Sequence, residues 1–187
     1  MRITAGKYKN RKVLCPPGII RPAMDRMRES LFSILESKLG SLYSLSFLDG
    51  FSGSGLVGIE AASRGASPIH LVEKDRGKRT TILKNLSYVE EAYNLYIMDI
   101  KRYISTCGFS YDLIYLDPPF PMGEKQEVVA LVDQNGILKE EGLLIIHHPG
   151  EESWPHTIGS LTLIDSRKYG RSRLLFFQKC RQISEPK

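Results

Sequence analysis

Three observations in this 187-residue chain predict a doubly wound α/β sheet. The first is Ser46 to Gly58, SFLDGFSGSGLVG, where an apolar run ends on an acid, a glycine-rich turn follows and an apolar helical pattern begins at once. The second is the alternation of short apolar runs with helical stretches from there onward, the signature of repeated βα units. The third is Asp117-Pro118-Pro119-Phe120, directly after the apolar run Asp112 to Leu116. Ligands bind such sheets beyond the carboxyl ends of their strands, where both the glycine turn and the proline pair fall.

The elements follow in order. Gly6 to Val13 reads as a short hairpin turning at Lys9-Asn10, with Ile3 and Val13-Leu14 as its apolar ends. A loop covers Cys15-Pro16-Pro17-Gly18, and Pro22 to Leu39 has helical spacing. Met24, Met27, Leu31, Ile34 and Leu35 line one face of that helix, while Asp25, Arg26 and Arg28 point elsewhere. Residues 1–40 thus form a basic extension, hairpin plus helix, within a single domain spanning 1–187. The helix after the glycine turn ends near Arg64-Gly65. Ile69 to Glu73 is the second strand, 76–89 a helix and Asn94 to Asp99 the third strand. The fourth strand runs into Asp117, a helix spans 124–134, and Gly142 to Ile146 is the fifth strand. Leu161 to Ile164 and Leu174 to Phe177 read as a closing hairpin.

Charge is distributed unevenly. Residues 1–28 carry eight basic groups against one acid, a sum of +7, which leaves −2 for the remainder of a chain whose net charge is +5. A second basic cluster is Arg167, Lys168, Arg171 and Arg173. Basic ends on a near-neutral body point to a surface facing phosphates. Tyr8 lies between Lys7 and Lys9, and Tyr169 follows Lys168; aromatic rings among cations stack on unpaired bases. The expected nucleic-acid contacts are therefore Lys7, Tyr8, Lys9, Arg11, Lys12, Arg26, Tyr169 and Arg171. Cys15, Cys107 and Cys180 have neither zinc spacing nor a disulfide framework. No apolar run approaches ~18 residues, and the basic N-terminus lacks a signal-like core. A cytoplasmic monomer without membrane contact or metal is the expectation. His147-His148 has no third ligand at suitable spacing and is read as structural, and Trp154 as a packing anchor.

The strand-end acids define a ligand. Gly53 to Gly58 also fits the dinucleotide pattern G-x-G-x-x-G. An acid at Asp49, four residues before it, repels the pyrophosphate that such a turn would hold. S-adenosylmethionine offers a sulfonium, an ammonium and ribose hydroxyls instead. Asp49, Phe51, Gly53 and Gly55 are its expected turn, Glu73 with Lys74 its ribose end, and Asp99 with Ile100 its adenine end. An acid at Glu73 serves nucleotide and adenosylmethionine folds alike, and Asp99 also reads as a helix N-cap. Two prolines after Asp117 fix φ and remove two amide donors. A carboxylate, a rigid carbonyl and an aromatic face are thus presented together. Asp117 and the Pro118 carbonyl accept the hydrogens of an exocyclic amine, while Phe120 stacks on its ring.

Asp117-Pro118-Pro119-Phe120 following Asp49-x-Phe51-x-Gly53-x-Gly55 is the pattern of amino-group methyltransferases that use S-adenosylmethionine. With Gly6 to Lys12, Arg21 to Phe32 and Ser63-Arg64-Gly65-Ala66, the chain resembles the RsmD family of bacterial 16S ribosomal RNA guanine-N2 methyltransferases, nearly throughout. The resemblance implies a Rossmann-like, seven-stranded methyltransferase fold with an N-terminal hairpin extension. It implies action on a guanine of 16S rRNA, in the 30S subunit or its assembly intermediate. It also places Arg21 to Arg28, Asp25 included, beside the cofactor's methionine end. The chain departs from the family pattern at Met24, Gly50 and Ser172. An adenine-N6 methyltransferase, a nicotinamide dehydrogenase and a non-catalytic rRNA-binding assembly factor remain the alternatives. The dehydrogenase leaves Asp117 to Phe120 without a role, and the assembly factor leaves the strand-end acids without one.

Overall fold

The computed structural model describes residues 1–15 and 22–179. The expected loop over 16–18, Arg21 and Cys180 lie outside them, as does the side chain of Met24. Along the chain come α1 (Pro22–Leu39), β1 (Phe47–Gly50), α2 (Leu56–Ser63), β2 (Ile69–Glu73), α3 (Arg79–Leu86) and β3 (Tyr93–Ile97). There follow α4 (Ile100–Thr106), β4 (Tyr111–Leu116), α5 (Lys125–Gln134), β5 (Leu138–Pro149), β6 (Thr157–Ile158), β7 (Leu161–Tyr169) and β8 (Ser172–Lys179). They build one sheet in the order β3-β2-β1-β4-β5-β8-β7-β6. The first five are parallel, while β8, β7 and β6 run antiparallel to their neighbours. Chain order reverses between β1 and β4, so a crevice opens at their carboxyl ends.

Strand alternation produces the layers. In β5, Leu143 and Ile145 join a core under α1, α2 and α3, whereas Leu144 and Ile146 join one under α4 and α5. Successive side chains of a strand face opposite ways, so a central strand needs apolar residues at every position. The structure differs from expectation mainly at element ends. Among the described residues eight strands replace seven, because the two-residue β6 pairs with Leu161 and Thr162. The third strand stops at Ile97, since Asp99 caps α4 by accepting from Lys101 N at 2.9 Å. The helix foreseen over 76–89 is a 3-10 turn at Arg76–Lys78 followed by α3. β5 and the β7–β8 pair are much longer than foreseen, because β8 pairs with β5 from Leu143 to Pro149.

The N-terminal extension belongs to the first core. Arg2 and Lys12 form an antiparallel bridge, and Val13 N donates to Met1 O at 2.9 Å. The hairpin's arms therefore pair 1–3 with 11–13, and its turn is wider than Lys9-Asn10. Ile3, Tyr8 and Val13 are buried against the sheet's helices. Gly6, at φ 78°, lies so close to the end of α2 that a Cβ there would stand 1.8 Å from Ser63 O. Only glycine fits. Glu60, fully buried in α2, ties the pieces together. It accepts from Thr4 N at 2.9 Å and pairs with Arg28 and Arg64. Arg28, read as pointing away from the apolar face of α1, is 4% exposed and pairs with that carboxylate.

Candidate active site

The crevice at the switch point is a cavity of about 1000 Å³. Phe51, Glu73, Lys74, Asp99, Ile100, Asp117, Pro118 and Phe120 all line it. So do Tyr169 and Arg171 from the β7–β8 turn, and Met27 from α1. The turn arrives there because Ser172 pairs with Pro149, at the carboxyl end of β5. Tyr169 Oη touches Ser30 Oγ, which fastens that turn to α1.

Glu73 ends β2 with its carboxylate already organised. Gly53 N donates to Oε2 and Asp75 N to Oε1, both at 2.8 Å, and Lys78 Nζ stands 3.3 Å from Oε2. Gly53 and Gly55 do not themselves line the cavity. They shape the turn that supplies the amide, with Gly55 at φ 78° preceding α2. Phe51 also holds a positive φ, 65°, immediately after β1. Such backbone is uncommon for a bulky residue, and here the residue lines the cavity. Lys74 lies 3.6 Å from Asp99 Oδ2 and is largely exposed.

Asp49 is placed differently from expectation. It is 1% exposed, does not line the cavity, and accepts from Gly58 N at 2.9 Å, holding the start of α2. Burial first, and the Asp117 and Glu73 carboxylates after it, push its carboxyl up to about 8 against the opposing Gly58 amide. Its charge therefore no longer argues against a pyrophosphate near neutral pH. Asp117, which lines the cavity, takes over that argument. Asp25 is also absent from the lining. It pairs with Arg28 at 2.9 Å beside a second, polar cleft shared with Arg2 and Lys12. Gly50 is explained by space, since a Cβ would meet Leu116 at 2.6 Å and Ile100 at 3.2 Å.

Asp117 follows β4 with its side chain 28% exposed. Its Oδ1 lies 2.8 Å from Nδ1 of His147, and the His147 and Phe120 rings meet edge to face at 5.3 Å. Burial, then the Asp117 and Asp49 carboxylates, hold the Tyr115 phenol well above its usual range, so it stays neutral. Lys125, 2% exposed, donates from Nζ to the carbonyls of Phe120 and Met122 and pairs with Glu152, fixing the loop after the prolines. His147, read as structural, lines the cavity beside Asp117. Leu116 pairs with Ile146, so the next residues, Asp117 and His147, fall side by side. The missing signal was the adjacency of β4 and β5. His148, by contrast, packs with Trp154 and accepts from its Nε1 at 3.1 Å, a structural pair.

The basic residues divide. Arg26 and Arg171 are exposed, and Arg171 lies at the cavity. Lys9, Arg11 and Lys12 are exposed on the hairpin. Tyr8 is 5% exposed, donating to Glu91 Oε2 at 2.6 Å and accepting from Glu90 N at 2.8 Å. Its ring has no free face for a base, which corrects the stacking role. Lys7 pairs with Glu90 at 2.9 Å, and that contact raises its pKa. Lys7 N also donates to Ser63 O, at the end of α2. The eight residues of α2 lead away from the crevice, so the hairpin tip lies about 12 Å of helix from it.

A family model described as conserved hypothetical protein 95 matches residues 1–178. The chain is 31% identical over 183 residues to Ribosomal RNA small subunit methyltransferase D of Escherichia coli (strain K12), covering 96% of this chain and 90% of that protein. Its namesake in Haemophilus influenzae is 32% identical over 154 residues, 78% of this chain and 77% of that protein. Among solved structures, Escherichia coli yhhF superposes with a TM-score of 0.86 and 29% identity, over 97% of this chain and 99% of that one. A hypothetical protein of Thermus thermophilus, TTHA0928, gives 0.80 and 26%, over 94% and 98%. The sheet order and these neighbours establish the Rossmann-like methyltransferase fold. On a match that runs from the first residue to the last strand, the chain belongs to the RsmD family.

Proposed function

We propose that this chain methylates the exocyclic N2 amine of a guanine in 16S ribosomal RNA, within an assembling 30S particle, using S-adenosylmethionine. One observation carries the reading: the carboxylates of Glu73 and Asp99 share a single cavity with Asp117, Pro118 and Phe120. At about 1000 Å³ it stands at the upper end of small-molecule sites, with room for a cofactor beside a target base. The donor set fits the cofactor. Glu73 offers acceptors to ribose hydroxyls, Asp99 to an adenine amine, and Ile100 and Met98 give the ring an apolar bed.

S-adenosylmethionine supplies an electrophilic methyl on a positive sulfur. The chain's task is to hold the amine in line with it, and positioning alone removes much of such a barrier. Asp117 and the Pro118 carbonyl accept the two amine hydrogens, which favours a pyramidal nitrogen with an available lone pair. Asp117 would take one proton from that amine as it is methylated, the electron pair staying on nitrogen. Phe120, 39% exposed at the cavity, offers a face to the base. The base must leave its stack to reach it, most cheaply from a loop. Tyr169 and Arg171 at the cavity are the base and phosphate contacts, with the exposed Arg26, Lys9, Arg11 and Lys12 outside its lining. The name of the Escherichia coli relative supports the same substrate.

The test is transfer of labelled methyl to 30S particles and to bare 16S rRNA, with digestion to nucleosides. N2-methylguanosine is expected. N6-methyladenosine selects the adenine alternative, and binding of NADH without response to S-adenosylhomocysteine selects the dehydrogenase.

A further inference from the structure

His147 does more than fill the end of β5. It is 5% exposed, its Nδ1 lies 2.8 Å from Asp117 Oδ1, and its ring meets Phe120 edge to face. Its Nε2 is buried with no hydrogen-bond partner among the described residues. Two bare acceptors do not sit 2.8 Å apart, so one proton lies between Nδ1 and Oδ1. With the carboxylate ionised that proton belongs to Nδ1, and Nε2 is then a bare lone pair. The alternative tautomer would bury an unmade N–H at Nε2 and set two lone pairs against each other.

We propose that His147 is a positioning residue for the methyl acceptor. Its Nδ1–H holds Oδ1 of Asp117, so the other oxygen alone is presented to the target amine. The same ring buttresses Phe120, so one imidazole sets both the acceptor and the stacking face. This rests on the methyl-transfer reading. A carboxylate free to rotate about χ2 would spend little time aligned, and small misplacements at a reacting centre cost about a hundredfold in rate.

Three variants separate this from packing. His147→Asn places an amide N–H where Nδ1 stands. His147→Gln moves the donor to the place of Nε2, and His147→Leu removes it. The assignment predicts that kcat on rRNA falls about a hundredfold in the Gln and Leu variants and recovers to within roughly tenfold of wild type in the Asn variant. Affinity for S-adenosylhomocysteine, read by calorimetry, stays unchanged in all three. Imidazole nitrogen NMR of the wild-type protein, assigned by the signal lost in His147→Asn, should show the Nδ1–H tautomer. Equal kcat in the Asn and Gln variants, or an Nε2–H tautomer, overturns the proposal. A wild-type protein with the Nδ1–H signal and no methyl transfer to 30S or 16S rRNA overturns the methyl-transfer reading instead.

Discussion

Replacing Asp117 by alanine should separate the carboxylate's contact within the protein from the role proposed for it toward the substrate. Within the protein, Oδ1 faces His147 Nδ1 at 2.8 Å, on a ring that is 5% exposed. Removing the carboxylate leaves a buried N–H without an acceptor, which costs about 1–3 kcal/mol of stability. For a chain of this size each kcal/mol lowers the melting temperature by about 2–4 °C, so a drop of several degrees is expected. Toward the substrate, alanine removes one preorganised electrostatic contact, worth about 2.7–4 kcal/mol, or a hundred- to a thousandfold in kcat. Asparagine separates the two. Its amide oxygen still accepts from His147, so the melting temperature should stay near wild type, while the lost charge still costs about a hundredfold. Calorimetric melting and single-turnover transfer of labelled methyl to 30S particles read both quantities. Wild-type turnover in Asp117→Ala would refute the reasoning outright, and a destabilised Asp117→Asn would refute the assigned contact.

Three further outcomes follow from the site. Glu73→Gln, which keeps one acceptor, should weaken S-adenosylhomocysteine binding by about tenfold or more in calorimetry, since hydrogen bonds to a charged group contribute about 1.5–3 kcal/mol; unchanged affinity would remove Glu73 from the ribose. Arg171→Ala should flatten the salt dependence of RNA binding, whereas Lys7→Ala should leave it intact, because Lys7 is already matched by Glu90 and Glu91. Equal effects of the two would restore Lys7 to the RNA face. Asp49 titrates near 8 when folded and near 4 when unfolded. The native state thus holds the extra proton between those values, and stability falls as pH rises from about 4 to 8, then levels. Denaturant titrations from about pH 5 to 9 should show this fall, and Asp49→Asn should reduce it; identical profiles would contradict the buried acid.

The sheet and most of the cavity were legible because Glu73 and Asp117 stand at the ends of apolar strands. Glu73 and Asp117 follow Leu71-Val72 and Tyr115-Leu116 directly, and a parallel sheet brings such ends to one edge. Asp49 shares that position in sequence, yet its side chain turns under α2 to the Gly58 amide, a direction that spacing does not encode. His147 was hidden for a different reason. Its partner lies thirty residues earlier, and their contact depends on β4 and β5 being neighbours. Tyr8 read as a stacking group because lysines flank it, but the acids that bury it, Glu90 and Glu91, come from a distant turn. Arg28 likewise pairs with Glu60 of another helix. Local pattern gave the elements and strand tips, while pairings between remote charges required the fold.

Guanine-N2 methylation of 16S rRNA can be read in the cell's own ribosomes. Modified guanosines of 16S rRNA are mapped in a strain lacking this gene and in the same strain carrying wild-type or Asp117→Ala protein. One N2-methylguanosine should be lost on deletion, restored by the wild-type protein and not by the variant. A 16S rRNA whose N2-methylguanosines are all retained after deletion would contradict the proposed function.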